Sequence, residues 1–207
     1  MLLEEMEKLY YIWDFVSKDK AKEILRKMFF QIGNKFKSIE CRRLILHNLT
    51  TIIMQILKEK NISDMSEAKP YAKALKDMLD THPNYTNNQI NKERYCKALN
   101  NYAVCYKDEI TNEELIKIHQ FCYDTYKDYD YAHKDKYMEK LISEFNINIL
   151  KGNFKVVFLV VEDILLHNNT TEYNDTLESF IKDIEKVDIS LYNDVLLLIK
   201  NQLKQII

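Results

Sequence analysis

The chain of 207 residues contains only two glycines and two prolines. These residues supply the tight turns of β-sandwiches and barrels, and their usual shares are about 7% and 5% of a sequence. Their scarcity argues against a turn-rich all-β architecture. It also argues against a phosphate-binding glycine loop, because such a loop needs several glycines close together. The composition therefore favours a helical protein.

The sequence also lacks the signals of secretion and of membrane insertion. Its first residues, MLLEEMEK, include acidic side chains where a signal peptide is basic. No run approaches the roughly 18 uninterrupted apolar residues that a membrane span requires. The four cysteines form no C-x-x-C pair, which predicts reduced, buried thiols. We therefore expect a cytoplasmic protein without membrane association.

Apolar residues make up 46% of the chain and recur at steps of three and four, which predicts about ten helices with short connections. Ser38 offers its hydroxyl as a helix cap, and Thr111 forms a capping box with Glu114. Pro70 fits only the first turn of a helix, and His82-Pro83 ends that helix. The predicted helices cover approximately residues 2–17, 19–32, 38–57, 70–81, 89–106, 112–126, 137–151, 154–165, 172–186 and 190–206.

The segment Phe145–Leu165, FNINILKGNFKVVFLVVEDIL, decides between an all-helical and a mixed fold. Its alternating apolar residues and its Gly-Asn break resemble a β-hairpin. A lone two-stranded hairpin is marginal in water, however, and no other segment of the sequence resembles a third strand. The apolar stripe that begins at Tyr137 has helical spacing, and Gly152 fits a left-handed C-terminal cap. We therefore predict two helices that meet at Gly152.

Pairs of predicted helices begin near Gln89, His133 and Glu172, and this period of about 40 residues is typical of helical repeats. Short connections favour antiparallel neighbours, and stacked pairs leave their first helices on a concave face. The predicted fold is all-α, with about ten helices in antiparallel pairs and a solenoid-like, right-handed stack. Residues 1–62 form an N-terminal three-helix segment and residues 63–207 the repeat region, packed as one continuous domain.

Two stretches carry a resemblance to a known architecture, Ala98–Tyr106 (ALNNYAVCY) and Asn146–Leu165 (NINILKGNFKVVFLVVEDIL). In the second stretch, a helix, a K-G-N-F joint and an apolar helix follow one another in the order of a tetratricopeptide-type repeat. Among repeat proteins the chain resembles the sensor part of the bacterial peptide-pheromone regulators of the PlcR and Rgg type. The resemblance covers roughly residues 89–167. It implies a short peptide in the concave groove, held by asparagines on the first helices.

Six residues are the candidates for binding a peptide or partner. Asparagines on the first helices stand where the resemblance places the peptide clamp, since one amide supplies donors and an acceptor together. A solvated surface amide is the alternative for each. A dense run of tyrosines and aspartates over residues 123–137 suits an interface with a basic ligand, and ordinary packing at a bend is the alternative. The candidates are Asn101, Tyr102, Tyr123, Tyr126, Asn146 and Asn148.

Other chemistries find little support in the sequence. His119 and Cys122 share a helical face and resemble half of a zinc site, but no second half is visible, so no metal or cofactor is predicted. Arg42 and Arg43 open a helix that buries residues 44–57, whereas a DNA-reading helix needs an exposed polar face, so nucleic acid is a disfavoured partner. No HExxH motif, nucleophile elbow or paired ExxH motif is present.

We predict a non-catalytic helical-repeat module that binds a protein or a short peptide, in the manner of a regulatory sensor. The main alternative is a small accessory protein of a phage or mobile element that inhibits a host protein complex by binding it. A helical enzyme with an unrecognised site is the third alternative. The oligomeric state is open, and a homodimer is among the alternatives.

Overall fold

The computed structural model describes residues 17–32, 39–167 and 174–185, together with Asn193, Leu197 and Asn201. These ranges contain eight α-helices and no strand, which confirms the all-α prediction. The helices are α1 (Lys18–Ile32), α2 (Ile39–Glu59), α3 (Lys69–Asp80), α4 (Gln89–Tyr106), α5 (Asn112–Tyr126), α6 (Lys134–Lys151), α7 (Phe154–His167) and α8 (Asn174–Glu185).

The chain divides into two compact units, unit 1 (Met1–Ile110) and unit 2 (Thr111–Ile207). Unit 1 contains α1 to α4, and unit 2 contains α5 to α8. The predicted segment boundary after residue 62 stays a prediction. The predicted helix over residues 2–17 lies outside the described residues except for Ser17, as does most of the predicted helix over 190–206. The predicted cap at Ser38, and Gly33, which the sequence predicts as the C-terminal cap of the helix over 19–32, also lie outside them.

Helix α2 forms the centre of unit 1, and α1 and α3 both pack against it. Its sequence is apolar on most sides, so that residues such as Leu49, Ile52 and Ile53 are fully buried. Burying one leucine or isoleucine side chain stabilises a fold by about 1.5–3 kcal/mol. Consecutive helices of unit 1 pack in turn, α1 with α2, α2 with α3, and α3 with α4.

The predicted helix boundaries around α3 are confirmed. Pro70 lies in the first turn, where its missing amide hydrogen is not needed, and the helix ends at Asp80, two residues before His82-Pro83. A short 3-10 turn, Pro83–Thr86, follows it. A second 3-10 turn, Tyr131–His133, precedes α6. Neither turn was predicted from the sequence.

The segment Phe145–Leu165 is a helix pair, as predicted. Gly152 adopts the left-handed conformation with φ of 67° and ends α6. Its amide donates to the carbonyl of Ile149 at 3.2 Å, and the amide of Asn153 donates to that of Asn148 at 2.9 Å. These bonds satisfy carbonyls that the end of a helix otherwise leaves unpaired, which is why glycine suits this position.

The core of unit 2 forms between α6, α7 and α8. Phe145 is fully buried, and its ring stacks on that of Phe180 with a centroid distance of 3.5 Å. The β-branched residues that made α7 resemble a strand, among them Val157, Val161 and Ile164, are fully buried here. Burial of these side chains outweighs their modest helix propensity.

Candidate functional site

A cleft of about 460 Å³ opens in unit 1 between α2, the loop that follows it and α4. Helix α2 contributes Thr51, Met54, Gln55 and Lys58. These four residues follow one another at steps of three and one, which places them along one face of the helix. We call this space the unit 1 cleft. Its volume lies within the range of about 300–1,000 Å³ that is typical of ligand pockets.

The loop after α2 forms the second wall of the unit 1 cleft, with Ile62 and Met65 among its lining residues. Asn61 takes a left-handed conformation with φ of 54°, which asparagine tolerates better than most residues. The amide of Ile62 then donates to the carbonyl of Leu57 at 2.8 Å. The turn therefore ends α2 and brings Ile62 to the cleft. Met65 also packs against the core of unit 1.

Helix α4 forms the third wall, with Asn101 and Val104 three residues apart on one helical face. The Asn101 side chain donates a long hydrogen bond of 3.4 Å from Nδ2 to Oγ1 of Thr51 on α2. This contact holds the amide between two walls of the cleft. Val104 is 51% exposed at the rim. Asn101, one of the six candidate residues predicted from the sequence, therefore lies in the wall of a cleft.

The lining of the unit 1 cleft is mainly apolar, with amide and hydroxyl groups interspersed. Met54, Met65, Ile62 and Val104 supply the apolar surface, and Lys58 is the one charged residue among the lining residues that the structure describes. Pockets of this kind bind ligands through apolar contact and fix their orientation through a few polar groups. These apolar residues were not predicted from the sequence to line a site. One signal in the sequence could have predicted the cleft wall. Polar residues form a stripe that ends in Gln55 and Lys58 on an otherwise apolar α2, and this stripe marks the face of the helix that is not covered by the core.

Tyr102, the second candidate residue of unit 1, faces the interior. It is buried, and its ring stacks on that of Tyr106 at a centroid distance of 4.7 Å. The ammonium group of Lys76 on α3 lies 5.1 Å from the Tyr102 ring centroid. Cation–π contacts of this kind contribute about 0.5–1 kcal/mol. Tyr102 therefore joins α3 and α4, and we leave it out of the proposed binding surface.

The other four candidates belong to unit 2. Asn148 donates from Nδ2 to the backbone carbonyl of Glu144 at 2.8 Å, so its amide is engaged within α6. Asn146 is partly buried on the same helix, and Tyr123 is partly buried on α5. Tyr126 is only 2% exposed and contributes to packing. Burial, followed by the charge of Glu144, raises the pKa of Tyr123.

A cluster of tyrosine, aspartate and histidine connects α6 and α7 in unit 2. The Tyr137 hydroxyl donates to Oδ2 of Asp163 at 2.6 Å, and Nδ1 of His167 lies 2.8 Å from Oδ1 of the same carboxylate. The rings of Tyr131 and His167 pack at a centroid distance of 4.3 Å. Burial, and in smaller part the charge of Asp163, raises the pKa of Glu144. The run of tyrosines and aspartates over residues 123–137 therefore contacts Asp163 and His167 of α7, which lie about 30 residues further along the sequence.

A second polar cluster joins three elements of unit 1 around Glu40. Its Oε1 accepts from Nη2 of Arg43 at 2.9 Å, and its Oε2 accepts from the Tyr85 hydroxyl at 2.6 Å. The same Oε1 forms an ion pair with Nη1 of Arg94 at 2.7 Å. Burial and the charge of Arg43 lower the pKa of nearby His47 to about 4. His47 is therefore neutral at physiological pH. The donors saturate the Glu40 carboxylate, so the cluster stabilises the fold and offers no evident ligand site.

All four cysteines are free and buried, as the sequence predicted. Within the described ranges no three histidine, cysteine, aspartate or glutamate side chains are grouped so that they could hold a metal ion. His119 and Cys122 lie on α5, where Cys122 is fully buried.

None of the helices that the structure describes is both long and apolar enough to cross a membrane. Comparison of the chain with family models, with curated proteins and with solved structures finds no match.

Proposed function

We propose that the protein is a non-catalytic, cytoplasmic binding module and that a peptide, free or as a segment of a partner protein, occupies the unit 1 cleft. One observation carries this proposal. Asn101 lies in the wall of an apolar cleft of about 460 Å³, beside further amide and hydroxyl groups. A cleft with apolar walls and a few convergent polar groups is the usual form of a binding site.

The cleft suits a peptide because its polar and apolar groups are interspersed. Asn101 and Gln55 each carry an amide that donates and accepts, which matches the donor and acceptor of one peptide unit. Met54 and Met65 offer flexible apolar surface, which adapts to side chains of different shape. The backbone is then held by hydrogen bonds while a side chain enters the apolar part.

The tetratricopeptide-like stack belongs to the same proposal. Helices that follow one another in sequence pack together within each unit, α1 to α4 in unit 1 and α5 to α7 in unit 2. Such packing is what a repeat of helix pairs requires. A module of this kind acts by shape and hydrogen bonding, and peptide binding by a regulatory sensor is the function it supports best.

Selection of random peptides tests the proposal. The full chain is screened against peptides displayed with a free N-terminus and, separately, with a free C-terminus. Enriched peptides are then measured on Val104→Trp, which fills the rim of the cleft, and on Ile90→Trp. Ile90 is 64% exposed on the same helix, about four turns from Val104, and is the matched control.

We expect the enriched peptides to bind the Val104→Trp variant at least tenfold more weakly than the wild-type protein and to bind Ile90→Trp unchanged. The reason is steric, because an indole at position 104 occupies the space that the ligand needs. Equal binding to both variants, or failure to enrich any peptide, would remove the unit 1 cleft as the site and with it the proposed function.

A second candidate function, an accessory protein that binds a host complex, is favoured by one feature of unit 2. Leu159 and Leu166 lie seven residues apart on one face of α7 and are 61% and 75% exposed. Exposed apolar residues on the same face of a helix are typical of a protein–protein interface. Capture of a host complex that is abolished by Leu159→Glu with Leu166→Glu and unaffected by Val104→Trp would support this candidate over the peptide sensor.

A further inference from the structure

We propose that the peptide in the unit 1 cleft carries an acidic side chain, which pairs with Lys97 of α4 while an apolar side chain of the same peptide enters the cleft. This inference rests on the proposed function of the cleft and names the class of peptide that it selects. It follows from the contacts between α2 and α4, from the excess of positive charge along them and from the distance between Lys97 and the apolar wall.

The surface beside the unit 1 cleft continues along the line where α2 meets α4. At the cleft, Nδ2 of Asn101 lies 3.4 Å from Oγ1 of Thr51. One turn earlier, His47 of α2 lies near Lys97 of α4, because burial, followed by the charges of Arg43 and Lys97, lowers the pKa of His47 to about 4. His47 precedes Thr51 by four residues and Lys97 precedes Asn101 by four, so each shares a helical face with a lining residue. Lys97 is therefore adjacent to the cleft wall.

Positive charge is in excess along this line. Arg43 and Arg94 share one carboxylate, that of Glu40, with contacts of 2.9 Å and 2.7 Å. Lys97 is exposed, and it forms no hydrogen bond or ion pair with any residue that the structure describes. An ammonium group pairs more strongly with an anionic acceptor than with a neutral one, because charge-assisted hydrogen bonds are roughly twice as strong as neutral ones. The surface beside the cleft therefore favours an acidic ligand.

Acidic residues are missing from both helices over this part of their length. Helix α2 has no acidic residue between Glu40 and Glu59, and α4 has none after Glu93. Glu40 binds the two arginines, and Glu93 accepts a hydrogen bond from Nε2 of Gln89 at 3.3 Å, on the turn before Lys97. Neither helix therefore presents a carboxylate between Lys97 and the cleft, where it would repel an anionic ligand.

The distance from Lys97 to the apolar wall sets the spacing within the peptide. Val104 of the wall follows Lys97 by seven residues, which is a rise of about 10 Å along the helix. A peptide in the polyproline II conformation advances about 3.1 Å per residue and brings every third side chain to the same side. An acidic residue three positions from an apolar one therefore reaches Lys97 while the apolar side chain enters the cleft. Both chain directions satisfy this spacing, and in both the intervening peptide units pass Asn101.

Methyl NMR of the full chain tests this inference with synthetic peptides whose ends are acetylated and amidated, so that no terminal charge contributes. The two glutamate probes, one for each chain direction, are acetyl-Ala-Glu-Ala-Ala-Leu-Ala-amide and acetyl-Ala-Leu-Ala-Ala-Glu-Ala-amide, and their counterparts carry glutamine in place of glutamate. The protein carries ¹³C-methyl methionine, so that Met54 and Met65 report on the cleft and Met78 on α3 serves as a reference outside its lining. Each peptide is titrated into the wild-type protein and into Lys97→Gln.

We expect at least one glutamate probe to cause saturable shifts of the Met54 and Met65 signals and none of the Met78 signal. That probe should bind the wild-type protein about fivefold more tightly than its glutamine counterpart, which is the size expected of a partly exposed ion pair. Lys97→Gln should remove this preference. The matched control is Lys73→Gln, which removes an exposed lysine of α3 outside the cleft lining and should keep the preference.

Equal binding of the glutamate and glutamine peptides to the wild-type protein would overturn the inference, and so would a preference that Lys97→Gln leaves intact. Absence of Met54 and Met65 shifts with both glutamate probes would overturn it as well. In each of these cases, selected peptides that lose affinity on Val104→Trp would keep the cleft as a peptide site. Failure of the peptide selection itself contradicts the proposed function, so the two failures are distinguishable.

Discussion

The hydroxyl of Tyr137 on α6 donates a hydrogen bond of 2.6 Å to Oδ2 of Asp163 on α7. This bond links two helices that Gly152 and Asn153 join in sequence. The hydrogen bond, followed by burial, raises the pKa of Tyr137 to about 12, because the carboxylate stabilises the protonated phenol. The contact therefore makes the packing of α6 on α7 dependent on one proton.

Replacing Tyr137 with phenylalanine removes this hydrogen bond and should lower the free energy of unfolding by about 1 kcal/mol at pH 8. The raised pKa means that the contribution is fully present below the ordinary tyrosine value of 10.0 and is lost as the pH rises towards about 12. The difference between wild type and variant should therefore shrink between pH 10 and 12. Urea unfolding across this range measures it. The control is Tyr131→Phe. Because Tyr131 contacts Tyr137 and His167 through its ring, this variant should have the same free energy of unfolding as the wild-type protein over this pH range.

Replacing Glu40 with glutamine should destabilise the protein by about 1–2 kcal/mol at pH 7, because Arg43, Arg94 and the Tyr85 hydroxyl lose a charged acceptor. Burial alone would raise the pKa of Glu40, but the hydrogen bonds from Arg43 and Tyr85 and the two positive charges lower it. The contribution is present above the ordinary value of 4.5 and is lost as the pH falls through the lowered pKa.

The deficit of Glu40→Gln should accordingly be largest near neutral pH and disappear in acid, as measured by thermal or urea unfolding. Glu23→Gln is the matched control, because Glu23 forms an exposed ion pair with Lys27 and should change stability little. A deficit that persisted unchanged at pH 3 would show that the loss comes from packing and not from the charge.

Replacing Gly152 with alanine should cost about 1–2 kcal/mol, because its φ of 67° is strained for a residue with a Cβ atom. The added atom would lie 3.4 Å from the nearest atom of the Phe154 ring, at van der Waals contact, so the backbone conformation and not a clash causes the loss. Asparagine tolerates this conformation better, so Gly152→Asn should lose less than Gly152→Ala. Equal losses for the two variants in urea unfolding would contradict a conformational cause.

The cysteines should be unreactive in the native protein. Burial raises the pKa of the Cys105 thiol to about 11, although the charge of Lys69 opposes this, and the reactive species is the thiolate. We expect Ellman's reagent at pH 8 to detect no fast-reacting thiol in the folded chain and four in denaturant. A stoichiometric fast phase before unfolding would contradict the buried arrangement.

Helical periodicity and capping residues were sufficient to predict the described helices. Thr111 caps α5 by accepting from the Glu114 amide at 3.2 Å, and Gly152 ends α6 as expected. Such signals are local, because they depend on side chains within a few residues of the backbone groups that they satisfy. The segment that resembled a hairpin was also resolved correctly, because its apolar stripe continued one that began at Tyr137.

Contacts between distant residues could not be predicted. Tyr85 and Glu40 are 45 residues apart, and no pattern in the sequence connects them. Tyr126 belongs to the run of tyrosines and aspartates over residues 123–137, yet it is buried, because the position of a side chain on its helix decides burial more than the polarity of its neighbours. Asn101 was selected from a resemblance, while Met54 and Lys58 beside it belong to a helix whose apolar sequence suggested only a core.

The methionines of the unit 1 cleft expose the proposed site to chemical damage. Peroxide converts methionine to its sulfoxide, which is polar and chiral and disrupts apolar surfaces, and reductases reverse the reaction. Oxidation of Met54 and Met65 would place two sulfinyl oxygens in the apolar wall of the proposed site. Binding at the proposed site would then depend on the oxidation state of these two methionines, and it would recover when the sulfoxides are reduced.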